Sequence, residues 1–84
     1  SVQYDVISSS EIVILPNPVS DVLSLSTPFE IESAEIFSLL GEKVLQISHS
    51  QSKINVRSLP RGVYTIAIRG KGRFHYIYSK FLKE

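Results

Sequence analysis

Val63-Tyr64-Thr65-Ile66-Ala67-Ile68-Arg69, followed by Gly70-Lys71-Gly72-Arg73, is the stretch that decides how this chain folds. Its apolar period is two. Tyr64, Ile66 and Ile68 fall on one face of an extended strand, and β-branched and aromatic side chains suit such a pleated, half-buried surface. The two glycines that follow can take positive φ and signal a turn. Phe74-His75-Tyr76-Ile77-Tyr78 then returns to strand composition as far as Leu82. A C-terminal β-hairpin is expected there.

The same reading extends upstream. Glu35-Ile36-Phe37-Ser38-Leu39-Leu40 runs into Gly41-Glu42 and then Lys43-Val44-Leu45-Gln46-Ile47. Gly41 between two apolar segments predicts a second hairpin, closed by a left-handed residue. A leucine-rich helix over 34–47 competes, but Gly41 at its centre would cost about 1 kcal/mol relative to alanine. Three further short strands are expected at Glu11 to Leu15, Val22 to Leu25 and Ile54 to Val56. The first stops at Pro16-Asn17-Pro18, which neither strand nor helix can cross. The last precedes the turn Ser58-Leu59-Pro60-Arg61-Gly62. Residues 1–10 read as a linker or a loosely attached first strand, leaving 11–84 as the folded domain. About seven short strands with a turn every 8–12 residues predict an all-β fold: an immunoglobulin-like antiparallel β-sandwich.

Composition agrees with one small ordered unit. The chain has 84 residues, 43% hydrophobic and 20% charged, which is the balance of a globular domain rather than a disordered tail. Cysteine is absent, so neither disulfides nor cysteine-bound zinc can reinforce the thin core. Methionine is absent as well, even at position 1, and the chain is read as cut from something longer: a mature fragment, an excised piece or one domain of a larger precursor. No signal-peptide pattern and no apolar run of membrane-spanning length occurs in it.

Charge is divided unevenly along the chain. Residues 1–42 hold Asp5, Glu11, Asp21, Glu30, Glu32, Glu35 and Glu42 and no base, while 43–84 hold every Lys and Arg and only Glu84 as an acid. The halves thus carry −7 and +8. A basic face for lipopolysaccharide or nucleic acid is one reading. Antiparallel strands from the two halves, laying opposite charges across from each other, is the preferred one, and no nucleic-acid partner is expected.

Catalysis finds little to stand on. His49 lies in an expected loop, Ser48-His49-Ser50-Gln51-Ser52, and His75 on an expected strand. Two histidines without cysteine or clustered carboxylates make a poor metal site. No serine sits in a G-x-S-x-G elbow, and Gly70-Lys71-Gly72 lacks the strand-to-helix setting of a phosphate loop. No enzyme activity and no cofactor are expected. Phe74, Tyr76 and Tyr78 share a strand face in this reading, either as a stacking platform for sugars or bases or, the preferred reading, as the core side of a sheet or a half-covered one.

Four blocks carry a resemblance. Ile14-Leu15-Pro16-Asn17-Pro18-Val19-Ser20-Asp21-Val22-Leu23 looks like the hydrophobic-Pro-Asn-Pro opening of the type A C-terminal sorting domains of the Bacteroidetes type IX secretion system. Ile36 to Val44, centred on Gly41, resembles that family's strand–glycine–strand unit. Ile54 to Tyr64 resembles its Leu-Pro-x-Gly-x-Tyr block, here Leu59, Pro60, Gly62 and Tyr64. The end, Ser79-Lys80-Phe81-Leu82-Lys83-Glu84, is similar to its terminal Lys-hydrophobic-hydrophobic-Lys strand. Together the blocks span about 70 residues in the family's order. Tyr76 and Tyr78 depart from the pattern by their aromatic character.

The resemblance implies a folded address rather than a chemistry. Such a domain follows a cargo already in the periplasm and is read by outer-membrane translocon components. A cell-surface sortase then usually removes it, and the cargo ends at the cell surface or secreted. Pro16 and Pro18 are expected to lock a turn, Gly41 and Gly62 to supply backbone shapes that a Cβ obstructs, and Tyr64 to bury its ring. Lys80 and Lys83 are expected to be exposed on an open edge strand, with Phe81 and Leu82 between them, where a partner could add a strand. The alternative class is a fibronectin-like surface adhesion or glycan-binding module using Tyr76, Tyr78 and the basic residues.

Overall fold

The computed structural model of the chain describes residues 12–48 and 52–84. Seven strands form in chain order: β1 (Val13–Leu15), β2 (Val22–Ser26), β3 (Ile31–Phe37), β4 (Lys43–Ile47), β5 (Lys53–Asn55), β6 (Gly62–Gly70) and β7 (Ile77–Lys83). They build two antiparallel sheets, ordered β1-β2-β5 and β4-β3-β6-β7. The chain changes sheet between β2 and β3, again between β4 and β5, and again between β5 and β6. This is an immunoglobulin-like β-sandwich, and no helix occurs among the described residues.

Alternation explains the core. Leu23 and Leu25 of β2, Ile54 of β5, Ile36 of β3, Ile66 and Ile68 of β6 and Phe81 of β7 all face inward and are buried. The expected inward row of Tyr64, Ile66 and Ile68 holds, with Tyr64 stacked on Phe81 at 5.7 Å between ring centroids. Ala67 is also buried, but on the opposite side of β6, where it lies level with Glu35 and Tyr78.

Several expected boundaries shift. β3 begins at Ile31, four residues before the expected start, because a register irregularity between Ile31 and Ser33 puts Ile31 and Ala34 on the same buried side. That spacing of three hides the period of two. Ser38, Leu39 and Leu40 are not strand: the Ser38 carbonyl accepts the Gly41 N–H at 2.9 Å, and the two leucines stand exposed on the resulting turn. Phe74 to Tyr76 is not strand either. The β6–β7 ladder starts at Ile68 opposite Ile77 while β6 runs on to Gly70 against β3, so residues 71–76 form the connection, and His75 lies on it, exposed. Phe74 therefore shares no strand face with Tyr76 and Tyr78, and the side of β7 bearing Tyr78 is solvent-exposed rather than core. The expected strand at Glu11 and the loop holding His49 lie in part outside the described residues.

The charge asymmetry resolves into pairing. Glu35 meets Lys43 at 3.6 Å, Glu32 meets Arg69 at 3.5 Å, and Asp21 approaches Arg57 at 4.0 Å. Each pair joins an acid of the first half to a base of the second, as β3 pairing with β4 and β6, and β2 with β5, requires.

Candidate functional site

The antiparallel registers gather the ends of several strands at one pole of the sandwich. The start of β2 meets the end of β5 at Val22 and Asn55, the end of β3 meets the start of β4 at Phe37 and Lys43, and the start of β6 meets the end of β7 at Gly62 and Lys83. The candidate residues, scattered from position 16 to position 83, therefore come together here.

Pro16-Asn17-Pro18 leaves β1 and swings across to the other sheet. Both X-Pro bonds, Leu15–Pro16 and Asn17–Pro18, are cis. Val19, fully buried, then lies parallel to the end of β7 and bridges Lys83. The Val19 N–H donates to the Leu82 carbonyl and its own carbonyl accepts from Glu84 N–H, both at 2.8 Å. Asn17 Oδ1 accepts the Leu82 N–H at 2.9 Å. The opening block thus holds the closing block through 65 residues of sequence separation.

The Leu59–Tyr64 block forms the next part. Leu59 is buried and Pro60 exposed, and the Tyr64 hydroxyl donates to the Pro60 carbonyl at 2.6 Å. A tyrosine bonded to backbone four residues upstream fixes the turn onto the core, as tyrosine corners do in such sandwiches. Asn55 Oδ1 accepts the Arg57 N–H at 2.9 Å and shapes the same turn.

Gly41 completes the pole. It takes φ +91°, the left-handed conformation expected of it, on the turn at 38–42. An open groove of about 370 Å³ runs between that turn and the β6 start, lined by Leu39, Leu40, Glu42, Arg61, Val63 and others. At Gly41 no atom lies within 4 Å of an added Cβ, and at Gly62 (φ +156°) only the Tyr64 ring lies at 4.0 Å. Dihedral angle rather than space is thus the constraint at Gly41.

The candidates separate into two sets. Pro16, Asn17, Pro18, Gly41, Pro60, Lys80 and Leu82 are exposed, whereas Leu59, Tyr64, Phe81 and Lys83 are buried and Gly62 is half-buried. Lys83 corrects the expectation of an exposed pair. It is only 5% exposed and its Nζ donates to the Glu84 carbonyl at 2.8 Å. The reason is the strand period: positions 80 and 83 lie on opposite faces, and 83 shares the inward one with Phe81. The pole also presents Leu39, Leu40 and Val63, which the motif blocks alone did not single out.

The expected shared face of Phe74, Tyr76 and Tyr78 does not form. Tyr76 and Tyr78 rings are tilted 40° to each other with centroids 6.5 Å apart, and Phe74 stands off the strand. Among the described residues no group of three His, Cys, Asp or Glu could hold a metal ion, and no helix is long and apolar enough to cross a membrane.

Fold and pole together define a small immunoglobulin-like module that carries short motifs at one end. The chain belongs to the secretion system C-terminal sorting domain family, whose model matches residues 13–84. Its role is that of a type IX secretion sorting signal, acting on an upstream cargo within a precursor, and this is not a family of enzymes. Export across the outer membrane to the cell surface or beyond is what the family implies. No curated protein matches the chain.

Proposed function

We propose that the domain directs a periplasmic cargo through the outer-membrane translocon, that the translocon reads the exposed residues of the motif pole, and that a cell-surface sortase then removes the domain. The observation that carries this reading is the convergence of four separated blocks at one pole, joined by Asn17–Leu82, Val19–Lys83 and Gly62–Lys83 contacts. A fold alone would not require its sequence motifs to share one end of the molecule. The buried members hold the pole in shape, and Pro16, Pro18, Pro60, Lys80 and Leu82 are left for a partner to read.

The test is a reporter fused upstream of the domain in a type IX-competent cell. The intact fusion is expected outside the outer membrane and the bare reporter in the periplasm. Charged substitutions at Pro60 and Leu82, both solvent-exposed, are expected to slow export while the domain's thermal melt stays unchanged. Retention of the intact fusion in the periplasm would sink the reading. Unimpaired export of folded pole variants would move recognition elsewhere on the surface.

A further inference from the structure

A sorting signal must be gripped by a partner, and the sorting role alone does not say how. Resting on that role, we propose that the first part of β7 is a short slot for β-strand addition, formed by the backbone of Tyr78 and Lys80. The slot takes an extended acidic segment of a partner protein, and the Pro16–Pro18 turn is the stop that fixes the register.

The geometry comes from the ladder. β7 is the last strand of its sheet, and its pairing with β6 runs from Gly62–Lys83 to Ile68–Ile77 without a register shift. Backbone groups of successive strand residues point alternately to the two sides. Leu82 uses both of its groups away from β6, its N–H toward Asn17 and its carbonyl toward Val19. Counting back by two, the N–H and C=O of Lys80 and of Tyr78 point the same way. Among the described residues no strand pairs with β7 there; the outer bridge is confined to Val19 and Lys83.

The chain itself demonstrates what this edge accepts. Val19 binds it as a parallel strand would, at 2.8 Å on both sides. By the same alternation the next backbone groups to face β7 would be those of Asn17, but Asn17 takes the Leu82 N–H through its side chain, so the ladder goes no further. An added strand therefore ends against Asn17, and its register is set by the domain rather than by chance.

Unpaired edges are normally blunted by charge, proline or a covering loop, and here the open part carries a single charge, Lys80. Charge also selects the occupant. From Lys43 to Lys83 the chain has no acid; Arg69 is already paired with Glu32, and Lys71 and Lys80 carry the remaining lysine charge of the hairpin beside the slot. An acidic strand is attracted to that hairpin, whereas a second copy of this domain would bring the same basic hairpin against itself.

The experiment uses the reporter fusion. Lys80→Pro removes an outward N–H that no internal ladder bond uses, and proline is tolerated at such edge positions. Lys80→Ala keeps the N–H and removes the side chain beyond Cβ with its charge. With folding verified by circular dichroism, Lys80→Pro is expected to slow export about tenfold, the scale of one or two lost hydrogen bonds, and more than Lys80→Ala does. Should Lys80→Pro unfold, an α-hydroxy acid at position 80 removes the same N–H and is expected to give the same slowing. Normal export of the folded Lys80→Pro domain, or of the folded α-hydroxy acid variant, overturns the slot. So does equal slowing by alanine and proline, which would assign the effect to the side chain. A dimer of the isolated domain in light scattering, abolished by Lys80→Pro, overturns the choice of occupant. Failure of the unaltered fusion to leave the cell is a different result, because it removes the sorting role before any variant is scored.

Discussion

Lys80 and Lys83 look alike in the sequence and do different work in the fold. Lys80 is solvated, while Lys83 lies beside Phe81 on the core side with its ammonium turned to the Glu84 carbonyl. A lysine placed this way contributes chiefly through its aliphatic stem. Lys83→Ala is therefore expected to destabilise by about 1–2 kcal/mol and Lys83→Met by less, whereas Lys80→Ala should stay within about 0.5 kcal/mol. Urea unfolding of the three variants checks the order. Gly41 gives the cleanest backbone case, because its surroundings are empty and only φ +91° opposes a side chain. Gly41→Val is expected to lose more than about 1 kcal/mol and Gly41→Asn clearly less, since asparagine enters the left-handed region more readily. Equal losses in a denaturant titration would mean that the turn tolerates other conformations.

At the scale of the strand, legibility followed pairing. β2 and the body of β6 were readable because their inward residues alternate and are apolar, whereas β4, where Val44 and Leu45 are both half-buried, was located by the Gly41 turn before it. The start of β3 was not, because the irregularity at Ile31–Ser33 breaks the period within a polar-looking segment, Glu30-Ile31-Glu32-Ser33. Phe74-His75-Tyr76 failed in the opposite sense: its composition suits a strand, but β6 beyond Ile68 has no β7 partner, and propensity without a partner makes no ladder. The motif residues were readable as a set, but their sorting into exposed and buried needed β7's register. β7 also decides what a truncation means. Removing residues 79–84 takes away Phe81 and the ladder opposite Tyr64 and Ile66, and burial of one such aromatic contributes about 3–5 kcal/mol. The truncated domain is expected to be unfolded by circular dichroism, so its loss of export reports on fold. Asn17→Ala removes one exposed acceptor, for about 1 kcal/mol, and should fold; its export rate then probes the pole itself.

The whole molecule is small enough that its boundary can be located by energetics. The family match starts at Val13, yet Ile12 and Ile14 are both buried in the shared core, and β1 pairs with β2 from Val13 to Leu15. Burying one such side chain contributes about 1.5–3 kcal/mol, so the pair accounts for roughly 3–6 kcal/mol. Small domains have about 5–15 kcal/mol in total, and this one has a thin core without disulfides. A fragment starting at Pro16 therefore sits near the limit of folding, whereas one starting at Ile12 keeps both of these side chains and the β1–β2 ladder. Residues 12–84 are expected to melt within about 5 °C of residues 1–84, a difference of about 1 kcal/mol or less for a chain of this size. Residues 16–84 are expected to lack a cooperative melt at the same concentration. The export assay should divide the fragments identically, because the pole depends on Pro16-Asn17-Pro18 being delivered from a paired β1 to the edge of β7. A 16–84 fragment that both melts cooperatively and exports its reporter would show that β1 serves neither fold nor pole. A 12–84 fragment that falls well below the full chain would show that residues 1–11 contribute to the domain, against reading 1–10 as a linker.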